Sequence, residues 1–559
     1  MKLRLPALVI LLSVLLTQCA KQTAPTGGPK DETPPKLKSS FPKDKQVNFQ
    51  GDRIELVFDE PIQLNNPREQ IIITPSVGKD FLTTYNKARV TIELKRRLQD
   101  STTYTFNFRE AIQDLTEKNP ANAKIAFSTG TYLDSLQITG RIADELTQAN
   151  PKNYTVALAE ASDTFNIYKH PASWITQTDK SGKFLLENLK PGRYILYAFD
   201  DKSKNLIVDS KTETYGFVST PITLQTNSDS INIRTFKADV NPLKLITSRP
   251  TFAYFNLRFS KSLFDYSVTA TDSVTRIHST LEPDLTTVKL YNTIPGVDSL
   301  QIRVQATDSL NYSIDTLVYL KFSQKQATRD KFLVTAEGAN ANESNSVLTS
   351  TVTFSKPVQT FNNDSVFILV DSLTRVTFAP ADFTWNKNRT KLKISTKADL
   401  TKIFPPDTTK EQGTTSNNTT RPLTQGQAAI VIRPATFISV EQDSSAALTT
   451  PVTLIKLEST AIIEAEVVTS EYFVLQLITK SGKLVREIAN QKKFAFENLP
   501  PDTYQLRLVI DKNNNGKWDP GNFLTKAEPE PIVYYKNPKK LKDISLKANW
   551  TLGPLLITY

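Results

Sequence analysis

The chain of 559 residues is poor in the side chains on which most enzyme chemistry depends. It contains one cysteine, Cys19, and two histidines, His170 and His278. A single cysteine near the N-terminus excludes disulfides within the chain and a thiol nucleophile in the folded domains. Two histidines in different predicted domains exclude a zinc site built on several histidines, and they allow a Ser-His-Asp triad only if one of them is the base. We expect both histidines at the surface.

Glycine is also sparse, with 17 residues. The sequence contains no Gly-x-Ser-x-Gly elbow, phosphate-binding glycine loop or dinucleotide fingerprint. Paired carboxylates could still support a glycosidase, although the acidic residues are scattered over turns and no pair stands out. A carboxylate-dependent envelope hydrolase is therefore the one enzyme class that stays open, and the sequence predicts a non-catalytic protein.

An apolar run at residues 7–16 is too short to cross a bilayer, which takes about 20 apolar residues. It follows the basic Lys2 and Arg4, and together these features predict a signal peptide at residues 1–18. The stretch Leu16-Thr17-Gln18-Cys19 resembles a bacterial lipobox, with Gln18 in place of the usual small residue. The resemblance implies that Cys19 is lipidated and becomes the new N-terminus. The alternative is a secreted protein with a stray cysteine.

Residues 19–35 are rich in proline, threonine and glycine and show no apolar periodicity. Such a segment cannot bury enough surface to fold, which predicts a flexible tether. Lipoproteins that Bacteroidota send to the cell surface often carry acidic residues directly after the cysteine, whereas Lys21 is basic. This resemblance favours an outer-membrane lipid anchor that faces the periplasm, with display at the cell surface as the alternative.

Beyond the tether, apolar and polar residues alternate over short runs, which is the pattern of half-buried β-strands. In the run at residues 88–94, Val90, Ile92 and Leu94 lie on one face, and Arg89 and Glu93 lie on the other. Turn residues separate such runs about every ten positions, as in β-sandwiches. The sequence therefore predicts an all-β chain of tandem sandwiches.

Residues 36–131 resemble the bacterial Ig-like domain first described in S-layer proteins. The stretches that carry the resemblance are Pro34-Pro35, Phe58-Asp59-Glu60, the strand TYTFNF from Thr103, and Phe127-Ser128-Thr129-Gly130.

Two later phrases, LRFSKSL from Leu257 and VTFSKPV from Val352, are weaker echoes of LVFDEPI from Leu56. They predict two further Ig-like sandwiches, at residues 240–328 and 329–455. The acidic pair of the first phrase becomes Ser355-Lys356 in the last one. A strand edge that exchanges acid for base predicts a solvated turn rather than a chemical site.

The phrase ENLKPGRYILYAFDD from Glu187 returns as ENLPPDTYQLRLVID from Glu497, at a constant offset of 310 residues. Both phrases resemble the carboxypeptidase regulatory-like, or prealbumin-like, seven-stranded sandwich, which predicts such domains at residues 135–238 and 456–559. The core positions that recur are Phe184, Leu186, Tyr194, Leu196 and Ala198, matched by Phe494, Phe496, Tyr504, Leu506 and Leu508. Because packing residues recur while the turns drift, the repeat predicts a building block. Domains of this family act as spacers or binding modules.

The second copy continues with a run of alternating oxygen-bearing side chains that is similar to the start of a calcium loop. The run places Asp511, Asn513, Asn515, Gly516 and Asp519 at relative positions 1, 3, 5, 6 and 9. Position twelve is Asn522 instead of the bidentate glutamate, which predicts a weak calcium site. The alternative is a turn held by its own side chains, with Trp518 capping the core.

A further pattern, Asp followed by Ser or Thr and then mostly an aliphatic residue, resembles the O-glycosylation acceptor motif of exported Bacteroidota proteins. The candidate acceptors are Ser135, Ser372 and Thr408. Thr408 lies in the low-complexity stretch at 405–424, which predicts an exposed loop. The alternative is that a turn followed by a strand produces the same letters.

The net charge of +11 is spread along the chain without the interleaved aromatic and basic residues of nucleic-acid-binding proteins. We therefore expect no nucleic-acid partner, but a membrane through the lipid anchor and, in addition, envelope proteins or polysaccharide. The sequence predicts a lipid-anchored envelope scaffold or binding module without a cofactor. The alternative is a surface adhesion or glycan-binding lipoprotein that uses the weak calcium loop.

Overall fold

The structure is a computed structural model that describes residues 31–272, 274–294, 299–323, 328–371, 374–404 and 428–559. It is nearly all β, which confirms the predicted fold class. The described chain forms two compact units. The first unit takes the residues up to Ala143 together with Asn150–Val208 and Thr220–Ile233, and the second takes Asp144–Ala149, Asp209–Ser219 and Arg234–Tyr559. The boundaries of the five predicted domains stay a prediction.

The N-terminal part of the first unit is a sandwich with the strand order of a constant-type Ig domain. One sheet has the order β1-β2-β6-β5 and the other β4-β7-β9, with β3 paired to β8. Phe106 and Phe127 fill the core between the sheets. The elements are β1 (Leu37–Phe41), β2 (Arg53–Phe58), β3 (Ile62–Leu64), α1 (Pro67–Gln70), β4 (Ile72–Thr74), β5 (Phe81–Asn86), β6 (Arg89–Leu94), β7 (Thr103–Asn107), β8 (Ile112–Asp114) and β9 (Lys124–Ser128).

The strands that follow build the first copy of the repeated phrase. The sheet β13-β10-β17 contains the strand Lys183–Leu189, and a second sheet places β11 between β12 and β14, with β16 also paired to β14. The strands are β10 (Leu136–Asp144), β11 (Thr155–Glu160), β12 (Trp174–Gln177), β13 (Lys183–Leu189), β14 (Gly192–Phe199), β15 (Tyr215–Phe217), β16 (Ile222–Leu224) and β17 (Ser228–Thr235).

The third sandwich, in the second unit, repeats the order of the first: β18-β19-β22-β21 faces β20-β23-β24. Its strands are β18 (Leu245–Thr251), β19 (Tyr254–Phe259), β20 (Asp265–Ala270), β21 (Ser279–Leu281), β22 (Thr287–Tyr291), β23 (Leu300–Thr307) and β24 (Ser313–Leu320).

The fourth sandwich joins its two halves into one path, β29-β28-β32-β34-β25-β26-β31-β30, with β27 paired to β33. The two halves are linked by the parallel pairing of β25 with β34. The elements are β25 (Val334–Asn342), β26 (Val347–Phe354), β27 (Val358–Phe361), β28 (Val366–Leu369), β29 (Arg375–Thr377), β30 (Phe383–Trp385), β31 (Lys391–Lys397), α2 (Leu400–Ile403), β32 (Ala429–Ile432), β33 (Phe437–Ser439) and β34 (Leu448–Ile455), with short 3₁₀ helices at Asn363–Ser365 and Pro380–Asp382.

The last sandwich has the orders β38-β35-β42 and β37-β36-β39-β40, with β41 also paired to β39. Its strands other than β40 correspond one to one to β10–β14, β16 and β17. The elements are a 3₁₀ helix at Leu457–Ser459, β35 (Ala461–Val468), β36 (Phe473–Thr479), β37 (Leu484–Ala489), β38 (Lys493–Leu499), β39 (Thr503–Ile510), a 3₁₀ helix at Phe523–Thr525, β40 (Ile532–Tyr534), β41 (Ile544–Ser545) and β42 (Thr551–Thr558).

The repeat at offset 310 extends to individual hydrogen bonds in each copy. The Tyr194 hydroxyl donates to the Lys190 carbonyl at 2.9 Å, and the Tyr504 hydroxyl donates to the Pro500 carbonyl at 2.7 Å. The recurring core positions are buried, except that Phe494 is only half-buried. A buried tyrosine that closes its own turn is a packing device, which agrees with the predicted building block.

The three Phe-containing phrases share a contact of the same kind. In each, the residue after the phenylalanine donates its N–H to the backbone carbonyl of a residue just before the neighbouring strand. Its side-chain oxygen accepts the backbone N–H of that neighbouring residue. The pairs are Asp59 with Lys36, Ser260 with Lys244, and Ser355 with Leu333. Aspartate and serine are interchangeable here because both offer an oxygen acceptor.

Candidate functional site

The loop predicted as a calcium site begins at Asp511, directly after β39. The Asp511 side chain is buried, and its two carboxylate oxygens accept the N–H groups of Asn515 at 3.0 Å and Gly516 at 2.8 Å. Gly516 has a φ of +79°, which favours glycine, and no atom lies within 4 Å of the place where a Cβ would stand. Asp511 therefore fixes a tight turn through its own carboxylate.

The first copy contains the same turn after β14. Oδ1 of Asp201 accepts the N–H groups of Asn205 at 3.1 Å and Leu206 at 3.2 Å, which lie four and five positions later, as in the last sandwich. Leu206 takes a φ of +61° where the second copy has glycine. The aspartate thus has one structural role in both copies.

The other predicted calcium ligands also come together. Oδ2 of Asp519 accepts the side-chain amides of Asn513 and Asn515, both at 2.6 Å. The oxygens of both aspartates therefore already face N–H donors, and a bound cation would have to displace them. Within the described ranges, no three His, Cys, Asp or Glu residues group in a way that could hold a metal ion.

Glu530 completes the loop, and sequence reasoning missed it. One of its carboxylate oxygens accepts the Lys512 N–H at 2.8 Å and the other accepts the Asp519 N–H at 3.0 Å, while its carbonyl accepts the indole N–H of Trp518. Burial raises the pKa of Glu530, although these hydrogen bonds act in the opposite direction. The only sequence signal was an acidic residue beside two prolines.

Both oxygens of Asp511, Oδ2 of Asp519 and the side-chain oxygens of Asn513 and Asn515 already accept hydrogen bonds. We therefore expect calcium to leave the loop unchanged. Titration with millimolar calcium of a chain in which Trp174, Trp385 and Trp550 are phenylalanine should not alter the fluorescence of Trp518. This side chain packs half-buried on a cluster that contains Ile532 and Tyr534. Magnesium at equal ionic strength is the control. A saturable change with calcium alone would restore the predicted metal site.

The loop also contacts the third sandwich, within the second unit. Lys517 donates to the Ser309 carbonyl and to Oδ1 of Asn311, each at 3.2 Å, and its ammonium lies 4.9 Å from the centre of the Phe264 ring. The Asn522 amide lies 3.4 Å from the Tyr312 hydroxyl. The loop that distinguishes the two copies is therefore a joint between sandwiches.

A second joint in the same unit connects the turn Asp144–Ala149 to β40, more than 380 residues later. The Ile532 N–H donates to the Glu145 carboxylate at 2.6 Å, and the Gln148 amide donates to the Ile532 carbonyl at 2.6 Å. The Tyr534 hydroxyl donates to the Leu146 carbonyl at 2.5 Å. Glu528 adds to this joint by accepting the Ser219 N–H and the Arg234 guanidinium.

The Glu145 joint predicts a pH dependence. Burial raises the pKa of Glu145 above its ordinary value, although the Ile532 N–H and Arg234 lower it in part. A raised pKa in the folded state gives stability below the unfolded pKa that is lost as the pH rises through the folded pKa. Between pH 4 and 7, the wild type should therefore lose unfolding free energy relative to Glu145→Gln. Urea unfolding followed by hydrogen exchange at β40 measures this difference, and a pH-independent difference would contradict it.

The prediction of a solvated turn at Ser355-Lys356 is wrong for the lysine, which is only 1% exposed. Its ammonium lies 2.7 Å from the Glu441 carboxylate and 2.6 Å from the Asp443 carboxylate, and Arg329 lies 3.3 Å from Glu441. Lysine is almost never buried unless it is paired. Glu441 and Asp443 stand more than 80 positions after Lys356, so no local sequence pattern could reveal them.

The corresponding lysine of the third sandwich behaves in the same way. Lys261 is 9% exposed at its side chain and pairs with the buried Asp308, and it donates to the Asp239 carbonyl at 3.1 Å. Its ammonium also lies 4.6 Å from the centre of the Tyr312 ring. The phrase Phe-Ser-Lys thus encodes a buried ion pair in both sandwiches.

The ion-pair cluster of Lys356, Glu441, Asp443 and Arg329 lies beside the contact between the third and fourth sandwiches. Tyr254 and Tyr291 pack against Val440, next to Glu441 in the chain. The Tyr254 hydroxyl accepts the Asp330 N–H at 2.7 Å, and Lys289 stands 4.9 Å from the Tyr254 ring centre. Burial raises the pKa of both tyrosines, so their hydroxyls stay neutral. The buried charges therefore lie beside a joint.

The first unit contains a joint of its own and a cleft of about 1520 Å³ beside it. The Ser76 N–H donates to the Ser173 carbonyl at 2.6 Å, and the Asn188 amide donates to the Thr105 hydroxyl at 2.7 Å. Charged groups at the cleft pair with one another, as Arg96 does with Asp80 and Lys204 with Glu69.

The remaining predicted sites are placed as follows. Ser135 is exposed just before β10, whereas Cys19, Ser372, Thr408 and the stretch 405–424 lie outside the described residues. His170 is exposed, as predicted, but His278 is half-buried, and burial together with Arg276 lowers its pKa. The described part of the chain has no helix with the length and apolar character needed to cross a membrane.

Comparisons with known proteins bear on the first sandwich. Residues 31–129 match the family model of the bacterial Ig-like domain, which confirms the resemblance found in the sequence for this part of the chain. No curated protein matches the chain.

Solved structures give weak similarities. Domains 1–6 of the surface layer protein SbsC are 11% identical with a TM-score of 0.14, over 92% of this chain and 68% of that chain. The major pilin subunit BcpA of Bacillus cereus is 11% identical with a TM-score of 0.13, over 76% of this chain and 99% of that chain. The Streptococcal ancillary pilin is 12% identical with a TM-score of 0.15, over 43% and 76%. These TM-scores are too low to say anything about function, and the family match covers the bacterial Ig-like N-terminal domain at residues 31–129.

Proposed function

We propose that this chain is a non-catalytic structural scaffold of the bacterial cell envelope, held at the outer membrane by a lipid on Cys19 and facing the periplasm. The observation that carries the proposal is the use of its buried charges. Each buried charged side chain in the described part of the chain has a backbone N–H or an opposite charge as its partner. These side chains are Asp114, Glu145, Glu213, Asp308, Lys356, Glu441, Asp511 and Glu530.

Enzymes commonly keep perturbed, buried titratable groups available to a substrate. Here the buried groups hold turns and the contacts between sandwiches, as Asp511 and Glu145 do. Such use supports a protein whose task is to keep domains in place. A carboxylate-dependent hydrolase, the remaining enzyme class, would be supported only by turnover of an envelope glycan.

The anchor is tested by feeding cells an alkyne fatty acid. We expect the wild-type chain to be labelled and to need detergent for release from membranes, because its acyl chains partition into the bilayer. Cys19→Ala should lose both properties completely, whereas the control Gln18→Ser, which restores a usual lipobox residue, should keep them. An unlabelled wild type that washes free without detergent would contradict the proposal.

Protease treatment of intact cells separates the two placements of the anchor. A periplasm-facing chain should survive until the outer membrane is permeabilised. Digestion on intact cells would instead favour the alternative, an adhesion or glycan-binding lipoprotein displayed at the cell surface.

A further inference from the structure

The second unit contains an open groove of about 600 Å³ where β25 and β26 of the fourth sandwich meet β38 of the last. This volume falls within the range of roughly 300–1,000 Å³ that is typical of small-ligand sites. Asparagine is the commonest residue of its lining, and the residues that matter below are Asn340, Asn342, Asn345, Asn498, Thr349 and Phe494. We propose that this groove, the asparagine groove, binds a neutral glycan.

The amides of the groove are held in place and still offer donors. Oδ1 of Asn342 accepts the Ser344 N–H at 3.0 Å, and the Ser344 hydroxyl lies 2.9 Å from Oδ1 of both Asn342 and Asn498, which share its one hydrogen. Oδ1 of Asn345 accepts the Val347 N–H at 3.0 Å. Among the described residues, the side-chain nitrogens of these three asparagines have no hydrogen-bond partner. Several oriented amide donors therefore line one groove.

Asn340 offers both kinds of group, since neither its side-chain oxygen nor its nitrogen has a partner among the described residues. A sugar hydroxyl both donates and accepts hydrogen bonds. A carboxamide is a neutral side chain with a carbonyl oxygen that accepts and an NH₂ group that donates, so it can pair with the hydroxyl in both ways. Charged ligands are disfavoured, because the lining contains one cation, Arg486, and one anion, Glu497. The net charge of the lining is therefore zero.

Phe494 supplies the apolar part of the site. Its ring is half-buried and is fixed edge-to-face against Phe496, with ring centres 5.0 Å apart. A fixed phenyl group beside amides suits a ligand with one apolar face and a rim of hydroxyls, which is the character of a pyranose ring. A purely apolar ligand would leave the amides unpaired, at a cost in free energy.

The first copy provides an internal comparison. A groove of about 720 Å³ lies at the same place, and Phe184 and Glu187 line it as Phe494 and Glu497 line the asparagine groove. In the first copy, Glu187 forms an ion pair with Lys124. The amide of Asn188, the counterpart of Asn498, donates a hydrogen bond to the Thr105 hydroxyl. Asn188 thus lies outside the lining of the first groove with its amide already hydrogen-bonded, whereas Asn498 lines the asparagine groove with its amide available.

The test is binding of the full chain to immobilised maltohexaose, cellohexaose, laminarihexaose, xylohexaose, mannohexaose and chitohexaose. We expect binding to at least one of them. Asn340→Ala should weaken it about tenfold, as for the loss of one or two neutral hydrogen bonds, and Thr349→Arg should abolish it by filling the groove. The matched control is Thr139→Arg in the first groove, which should leave binding unchanged.

Three outcomes would overturn the proposal: no binding to any hexasaccharide, equal binding by Thr349→Arg, or loss of binding in the Thr139→Arg control. Thermal unfolding of each variant shows that it is folded before binding is compared. The proposal goes beyond the scaffold function, and its failure would leave the labelling results for Cys19 unaffected.

Discussion

Replacement of Lys356 by alanine is expected to destabilise the fourth sandwich by roughly 3–5 kcal/mol, the usual cost of leaving a buried charge without its partner. The lysine is 1% exposed and lies 2.7 Å from Glu441, whose side chain has no exposed surface. With the ammonium removed, Arg329 at 3.3 Å would be the one cation left beside Glu441 among the described residues, and its side chain is half exposed.

The change is measured by hydrogen exchange in increasing urea, followed at peptides from β26 and β31. Lys391→Ala, which removes an exposed lysine of the same sandwich, is the control and should have little effect. The double variant Lys356→Met with Glu441→Leu should recover much of the loss, because apolar residues of similar size can replace a buried ion pair. Equal stability of Lys356→Ala and Lys391→Ala would show that the cluster does not hold the sandwich.

Asp511→Ala is expected to melt the loop after β39 and to expose Trp518. The alanine releases two backbone N–H groups, and each hydrogen bond to a charged acceptor contributes about 1.5–3 kcal/mol. Because the loop also contacts Ser309 and Asn311, the joint to the third sandwich should loosen at the same time.

Trp518 emission reports this change in a background in which Trp174, Trp385 and Trp550 are phenylalanine. We expect a red shift for Asp511→Ala and a smaller one for Asn513→Ala, which removes one bond to Asp519 and one longer bond from the Asn515 N–H. If the loop were instead a calcium site, calcium would change the emission of the unaltered loop, and both variants would lose that response because each lacks a ligand.

Local patterns predicted the parts of the fold whose causes are local. Alternation located the strands, and the offset of 310 residues located two hairpins whose tyrosines, Tyr194 and Tyr504, make the same hydrogen bond. These features depend on residues a few positions apart, which a single sequence displays directly.

The joints could not be predicted in the same way. Lys356 looked solvated because a lysine at a strand end usually is, and its partners Glu441 and Asp443 come from a distant strand end. Similarly, the hydrogen bonds of Glu530 to the Asp511 loop and the contact of Glu145 with Ile532 depend on tertiary packing. Charge pairing across such distances leaves no periodic trace in the sequence.

The most direct test of the scaffold account is the distance between two spin labels in the second unit, one on the third sandwich at Thr269→Cys and one on the last at Lys483→Cys. Both positions are exposed, and Cys19→Ala removes the one native thiol, so that labelling is specific. The account predicts a single narrow distance distribution that broadens when Lys517→Ala weakens the joint. A broad distance distribution in the doubly labelled chain that keeps Lys517 would contradict the scaffold account.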